Sequence, residues 1–478
     1  MISLHEATAG AAQAAAAAAA ADDETRARWL EALADALDAN AGELVGLADE
    51  ESHLGAPRLG GEVARTTGQL RLFAGVVREG SYLEAVIDHA DATATPPRPD
   101  LRRMLRPIGP VAVFSASNFP FAFSVLGGDT ASALAVGCPV VVKAHSGHPR
   151  LSARVGALAS QALDAAGAPR GLLSVIEGRQ AGIDLVQSPT IKAVGFTGSL
   201  SGGRALYNLA AARDEPIPFY GELGSINPVV ITARAATERG HILAEGLVGS
   251  FTLGVGQFCT KPGVVFYPAH SGFDERVIQA LGERPEARML TEHMADAFDS
   301  GSSTLGSHPD VDVLVQTSVT ADTASPALYR TSAQAVSRDP ATLLEEVFGP
   351  AALLVSYADD AELDAALDAI TGTLTATLHS QPDENVTDLV DKLTALAGRV
   401  LFEGWPTGVA VTWSQQHGGP WPATTSLHTS VGATAVRRFL RPVAWQDAPE
   451  RYLPIALRDE NGLGIPRRVD GRLQLPRG

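Results

Sequence analysis

The stretches VAVFS (Val111–Ser115), LGGDTASALAV (Leu126–Val136) and PVVVK (Pro139–Lys143) decide the fold of this chain. The first and third are short β-branched runs without polar alternation, the kind of strand that is covered on both faces, and a small-residue helix fits between them. The unit then repeats. Leu151–Ala166 reads as helix, Leu173–Glu177 as strand, Ala181–Gln187 as a short helix, and Ile191–Phe196 as a strand leading into a helix over Ser201–Ala212. Strands alternating with helices of this length are joined by right-handed crossovers into a parallel sheet with helices on both faces. The expectation is an α/β chain with a doubly wound, nucleotide-binding parallel sheet, which takes its ligand outside the carboxyl ends of the strands.

Upstream of this core, Ala27, Trp29, Leu30, Leu33, Ala34 and Leu37 recur at helical spacing within Thr25–Asp49, and another helix is predicted over Gly60–Val76. The alanine run Ala14–Ala21 lacks a basic segment ahead of it and runs into Asp22, Asp23 and Glu24, so it reads as helix and not as a secretion signal. Pro96, Pro97 and Pro99 make Asp91–Asp100 an extended connector. Downstream the alternation resumes less regularly, with a helix over Thr237–Leu253 and strands at Val264–Tyr267 and Ala351–Ser356, as in a second α/β lobe. Ala435–Trp445 (AVRRFLRPVAW) alternates apolar and charged residues as an edge strand does. Its Arg437, Arg438 and Arg441 form either a solvated face or a subunit-pairing edge.

A length of 478 residues predicts two or three domains, each able to bury a large core. With 45% hydrophobic and 19% charged residues the composition is that of a globular chain, and no long apolar run suits a membrane. The net charge of -17 repels a phosphate backbone and argues against nucleic acid as a partner. Only Cys138 and Cys259 are present, far apart, which suits a reducing, cytoplasmic setting and not a disulfide framework. The 12 histidines form no HxxxH or Cys/His ligand spacing, so no metal is expected.

Cys138, inside Val136-Gly-Cys-Pro-Val140, reads as a small buried hydrophobe. Cys259, in Gly256-Gln-Phe-Cys-Thr260, has polar, turn-forming neighbours of the kind a reactive thiol needs. Glu222, flanked by Gly221 and Gly224 ahead of a strand at Pro228–Ile231, sits where small neighbours let a ligand approach. Singly, such a cysteine is more often core and such a glutamate more often surface.

Together and in order, SNFP with Asn118, VVVKAHS with Lys143, GFTGS (Gly195, Phe196, Thr197, Gly198, Ser199), GELGSINP with Glu222, GQFCT with Cys259 and EEVFGP with Glu346 and Phe348 resemble the aldehyde dehydrogenase superfamily. LGAPRLGGEVARTTGQLRLFAGVVREG, SNFPFAFSVLGGDTASALAVGCPVVVKAH, HGGPWPAT and RRFLRPVAWQD are similar to the subgroup of 2,5-dioxopentanoate dehydrogenases and NADP-dependent fatty aldehyde dehydrogenases. The resemblance implies a thioester on Cys259, oxyanion donors from Asn118 and the Cys259 N–H, and Glu222 as general base. It also implies a dinucleotide held by Lys143 and the Gly195–Ser199 turn, with Glu346 on the nicotinamide ribose and Phe348 packing nearby. Ser146 replaces a glutamate common in NAD-preferring members and tilts the cofactor towards NADP over NAD; Arg179 is either a second phosphate contact or a solvated side chain.

The implied domains are cofactor-binding (1–85 and 107–225), catalytic (226–430), an oligomerisation arm (86–106 and 431–448) and a C-terminal extension (449–478), assembled as a homodimer or homotetramer. The expected reaction takes an aldehyde to a carboxylate, with 2,5-dioxopentanoate going to 2-oxoglutarate. Alternatives are apolar aldehydes, suggested by Trp413 and Phe258 against Gln415 and Gln416 for an oxo-acid, a thiol hydrolase of esters, or a cofactor-binding protein with a vestigial site.

Overall fold

The computed structural model describes residues 1–476. Its first sheet has the order Leu173–Ile176, Val140–Lys143, Val111–Phe114, Ala193–Thr197, Phe219–Glu222, all parallel. The chain starts in the centre, winds outwards to one side, returns and winds to the other. The winding therefore reverses between Val111–Phe114 and Ala193–Thr197, and a crevice opens beyond their carboxyl ends. Period-two alternation sorts the strand residues onto two buried faces. Val111, Val113, Val140 and Val142 lie on the face covered by the helices Gly128–Ala135 and Pro149–Ala165, on which Asp23–Ala39 and Ala56–Glu79 pack in turn, while Ala112, Val141 and Val194 meet the helix Leu4–Ala20 through Ala7 and Ala11. Each buried valine or leucine contributes roughly 1.5–3 kcal/mol, so a strand covered on both sides has no use for polar alternation.

The alanine run is part of that first helix, capped by Ser3 and Glu6 in a reciprocal pair. Its small side chains are required by close approach: a Cβ on Gly137 would lie 2.6 Å from Ala18 O. The helix expected over Thr25–Asp49 is divided at Asn40, whose Nδ2 donates to Ala36 O and ends one helix where Ala41–Ser52 begins.

A second sheet runs Asp312–Val315, Ala327–Ser332, Ala351–Tyr357, Val264–Pro268, Val229–Ile231, Thr373–His379, Ala397–Phe402, parallel except at the first pair. The helix Ala233–Thr252 covers one of its faces. The third sheet orders Leu440–Gln446, Leu101–Pro107, Val86–Asp88, Arg467–Val469 and Arg472–Gln474. Two strands of the segment set apart as a C-terminal extension thus belong to the same sheet as the arm.

The edge strand expected over Ala435–Trp445 is confined to Leu440–Gln446; Ala433–Phe439 is 3-10 helix packed into the N-terminal core. Arg438 is accordingly not on a solvated face. Only 2% exposed, its Nη1 pairs with Asp129 Oδ1 at 2.7 Å. No helix among the described residues is long and apolar enough to cross a membrane.

Candidate active site

The helix Ala233–Thr252 ends in a tight turn, Leu253–Gly256, in which Gly254, Val255 and Gly256 all have positive φ (56°, 58° and 65°). A β-branched residue in that region costs on the order of 1–3 kcal/mol, so Val255 is held there by its surroundings. A Cβ at Gly256 would lie 2.2 Å from Gly349 O, so the turn packs main chain against main chain on the EEVFGP segment. Cys259 follows, partly exposed. Asn227 Nδ2 donates to Cys259 O at 2.8 Å and Lys261 O at 2.9 Å, tying the loop to the second sheet.

Cys259 Sγ lies 3.7 Å from His417 Nε2, and the same nitrogen lies 2.9 Å from Glu222 Oε1. Ser430 Oγ donates to the other carboxylate oxygen at 2.6 Å. Glu222 ends the last strand of the first sheet and is 2% exposed. Its main chain bridges to Thr424, so the HGGPWPAT loop is zipped onto that strand. His417 is held within the loop by its N–H donating to Thr429 Oγ1 at 2.8 Å and its carbonyl accepting from Ser430 N.

Burial raises the Glu222 carboxyl, but the His417 charge and hydrogen bond, Ser430 and Arg438 outweigh it and hold the group below its usual value. Burial, with Glu222 and Glu346 adding like charge, pushes the Cys259 thiol well up. Ionising this thiol therefore requires a nearby acceptor for its proton. His417 Nε2 already donates to the ionised Glu222, so the acceptor within reach is the Glu222 carboxylate, which lies within 4.8 Å of the thiol. Among the described residues these three side chains are also the one set of potential metal ligands. Their 2.9 Å nitrogen–oxygen contact is that of a hydrogen bond.

Asn118, 9% exposed, follows the central strand Val111–Phe114, and its Nδ2 donates to Gln257 O at 3.1 Å. An amide has two N–H groups, which leaves one to meet a ligand beside Cys259. Arg58 Nη2 donates to Asn118 O at 2.7 Å and its guanidinium stacks 4.8 Å from the Phe258 ring, clamping the Asn118 loop to the thiol's turn.

Lys143 ends the neighbouring strand, partly buried and with no ion pair or hydrogen bond on its ammonium among the described residues. Burial alone lowers its pKa. Ser146 and Arg179 are exposed on the same side, Arg179 opening the helix Arg179–Gln187. Gly195, Phe196 and Thr197 close the strand across the crevice, Gly198 is exposed, and Ser199 caps the helix Leu200–Ala211 by accepting from Gly202 N. An unpaired ammonium and a helix N-terminus, both at the carboxyl edge of a doubly wound sheet, fit an anionic dinucleotide, which would be held by Lys143, Ser146, Arg179 and the first turn after Ser199.

Glu346 stands apart from these groups. Its carboxyl faces the catalytic loop, where a Cβ on Gly224 would come within 2.7 Å of its Oε2. Burial raises its pKa, while burial lowers that of the neighbouring Lys261, whose Nζ donates to Val347 O and Ala351 O. Phe348, two residues on, is partly exposed. Trp413 is half exposed at the surface, and Gln415 Nε2 is turned onto Gln416 O, so neither points to a substrate.

His417, Ser430, Arg438 and Asn227 are the members of this site that the sequence reading did not single out. HGGPWPAT was the available signal, and it marked the loop without marking the histidine.

Residues 3–421 match the aldehyde dehydrogenase family. Alpha-ketoglutaric semialdehyde dehydrogenase 2 of Azospirillum brasilense is 48% identical over 94% of this chain and 87% of its own length. Alpha-ketoglutaric semialdehyde dehydrogenase of Acinetobacter baylyi is 40% identical over 98% of this chain and 91% of its own. The fold matches a 1-pyrroline-5-carboxylate dehydrogenase from Thermus with bound NAD, at a TM-score of 0.76 and 22% identity over 92% of this chain and 85% of that one. It also matches proline utilization A of Bradyrhizobium japonicum at a TM-score of 0.79 and 23% identity over 92% of this chain, which spans 44% of that longer protein. Matched by the family over most of its length and by relatives at this identity, the chain belongs to the aldehyde dehydrogenase family, enzymes that oxidise aldehydes with NAD(P).

Proposed function

We propose that the chain oxidises 2,5-dioxopentanoate to 2-oxoglutarate with NADP+, through a thioester on Cys259. The observation that carries the mechanism is the single nitrogen, His417 Nε2, placed 3.7 Å from Cys259 Sγ and 2.9 Å from Glu222 Oε1. The thiol proton passes to the Glu222 carboxylate and on to water, and the thiolate attacks the aldehyde carbon. The oxyanion takes the free N–H of Asn118 and the Cys259 N–H, each such donor lowering the barrier by about 3 kcal/mol. When bound, the nicotinamide supplies the hydride acceptor. A water then attacks the thioester, and Glu222, kept ionised by His417, Ser430 and Arg438, accepts its proton.

The substrate follows from the two relatives, both α-ketoglutaric semialdehyde dehydrogenases by name. NADP is favoured because exposed Ser146 offers a hydroxyl where a carboxylate would repel a 2′-phosphate, with Arg179 exposed nearby. The domain division given above, a cytoplasmic setting and a homodimer or homotetramer paired through the free edge of Leu440–Gln446 belong to the same reading.

Turnover of 2,5-dioxopentanoate and a panel of neutral aldehydes, followed as NADPH and NADH at 340 nm, tests it. Cys259→Ala should abolish turnover, and Glu222→Gln should leave a partial first turnover; full activity of Cys259→Ala refutes the thioester. Preference for neutral aldehydes would favour the second reading, for which the cluster Phe119, Phe123 and Phe258 beside the thiol speaks.

A further inference from the structure

The helix Ala56–Glu79 carries a partly buried cation, Arg65, with which no protein anion pairs directly. Arg65 makes no hydrogen bond or ion pair among the described residues, and its Nη1 is buried without a partner. Its neighbour Glu62 attracts it but makes no ion pair with it. Glu62 Oε1 accepts from the N–H groups of Phe121 and Ala122, no oxygen of Glu62 lies within ion-pair distance of Arg65, and burial raises the Glu62 pKa. Arg58 also has a buried Nη1 without a partner, but differs from Arg65 in holding the Asn118 loop through its Nη2.

One turn on from Arg65, on the same helix face, Gln69 is 1% exposed and its Nε2 is likewise buried without an acceptor. Arg65 and Gln69 line one open pocket of about 460 Å³ together with Gly68, Leu72 and the segment Val409–Val411. The pocket adjoins the reacting centre. Arg65 stacks 5.3 Å from the Phe123 ring, whose centroid is 6.3 Å from the imidazole of His417, and the Arg65 charge is felt at Cys259.

Two unanswered donors on one wall of a pocket are costly to bury, and the cost is recovered only when an acceptor arrives. Of the two donors, one is a planar guanidinium suited to a carboxylate. We infer that Arg65, with Gln69 beside it, receives the distal carboxylate of the aldehyde substrate and sets the preference for anionic over neutral aldehydes. The inference rests on the oxo-acid reading above and names the residues that recognise the acid end.

The test compares 5-oxopentanoate with pentanal, which have the same chain length and differ in the distal group. In the wild-type enzyme the ratio of their kcat/KM values should favour the acid. In Arg65→Met that ratio should fall about 10- to 100-fold, the worth of one charge-assisted hydrogen-bonded contact, with the loss in KM for the acid. Arg65→Lys should recover part of the ratio, and Gln69→Leu should lower it less than Arg65→Met does. An unchanged ratio, or an equal loss on both substrates in Arg65→Met and Gln69→Leu, overturns the assignment of these residues while leaving the oxo-acid reading in place. A wild-type enzyme that prefers pentanal and ignores both 5-oxopentanoate and 2,5-dioxopentanoate overturns that reading, and this inference with it.

Discussion

Replacing His417 with asparagine removes the imidazole that holds the Glu222 carboxylate ionised and keeps a polar side chain. Two effects follow from the geometry. The Cys259 thiol, already raised by burial and by two carboxylates, loses the imidazole 3.7 Å away, so the thiolate becomes rarer at neutral pH. Glu222 loses both the charge and the 2.9 Å hydrogen bond that oppose its desolvation, so its pKa rises towards and beyond the ordinary carboxylate value. A positioned general base contributes about 10²- to 10⁴-fold, so kcat/KM for any aldehyde should fall by that order. The assay is twofold: steady-state NADPH formation, and the pH dependence of Cys259 alkylation by iodoacetamide. His417→Asn should displace the alkylation profile to higher pH. An unchanged profile together with a kcat within a few-fold of wild type would refute the view that His417 keeps Glu222 able to take the thiol proton.

Ser430→Ala removes the 2.6 Å hydrogen bond that helps hold the Glu222 carboxylate ionised. A carboxylate works as a base only above its pKa, and this one is depressed, so the variant should move the acid limb of the kcat profile to higher pH. Arg438→Met leaves Asp129 buried without its partner and should cost about 3–5 kcal/mol in denaturant unfolding, an amount largely restored by adding Asp129→Leu. Arg179→Ala should lower the NADP-over-NAD ratio of kcat/KM, and an unchanged ratio removes Arg179 from the cofactor site.

The first sheet was legible because its strands are buried on both faces, so Val111–Phe114 and Val140–Lys143 read as unbroken apolar runs. Strand ends carry the ligand in such a sheet, which put Lys143 and the Gly195–Ser199 turn on one side of the molecule before any coordinates. His417 was not legible by the same route. It lies 158 residues from Cys259 and 195 from Glu222, and it meets them because a bridge between Glu222 and Thr424 folds its loop back onto the first sheet. A pairing of that separation has no local signature. Arg438 misled for a related reason: charge alternating with apolar residues describes an edge strand, but the buried carboxylate of Asp129, 309 positions upstream, makes 3-10 helix with an inward arginine the stable outcome.

At Gly256 and Gly349 the main chain of the nucleophile's turn rests directly on the main chain of the EEVFGP segment, with no side chain between them. Side chains absorb small displacements by changing rotamer; two touching backbones have no such cushion. Glu346 is three residues from Gly349, and Cys259 three residues from Gly256, so the contact couples the two loops stiffly. Any ligand that presses Glu346 and its segment towards this contact therefore displaces the thiol's own turn as well, and Val255, held in an uncomfortable conformation, is the residue with energy to release when it moves.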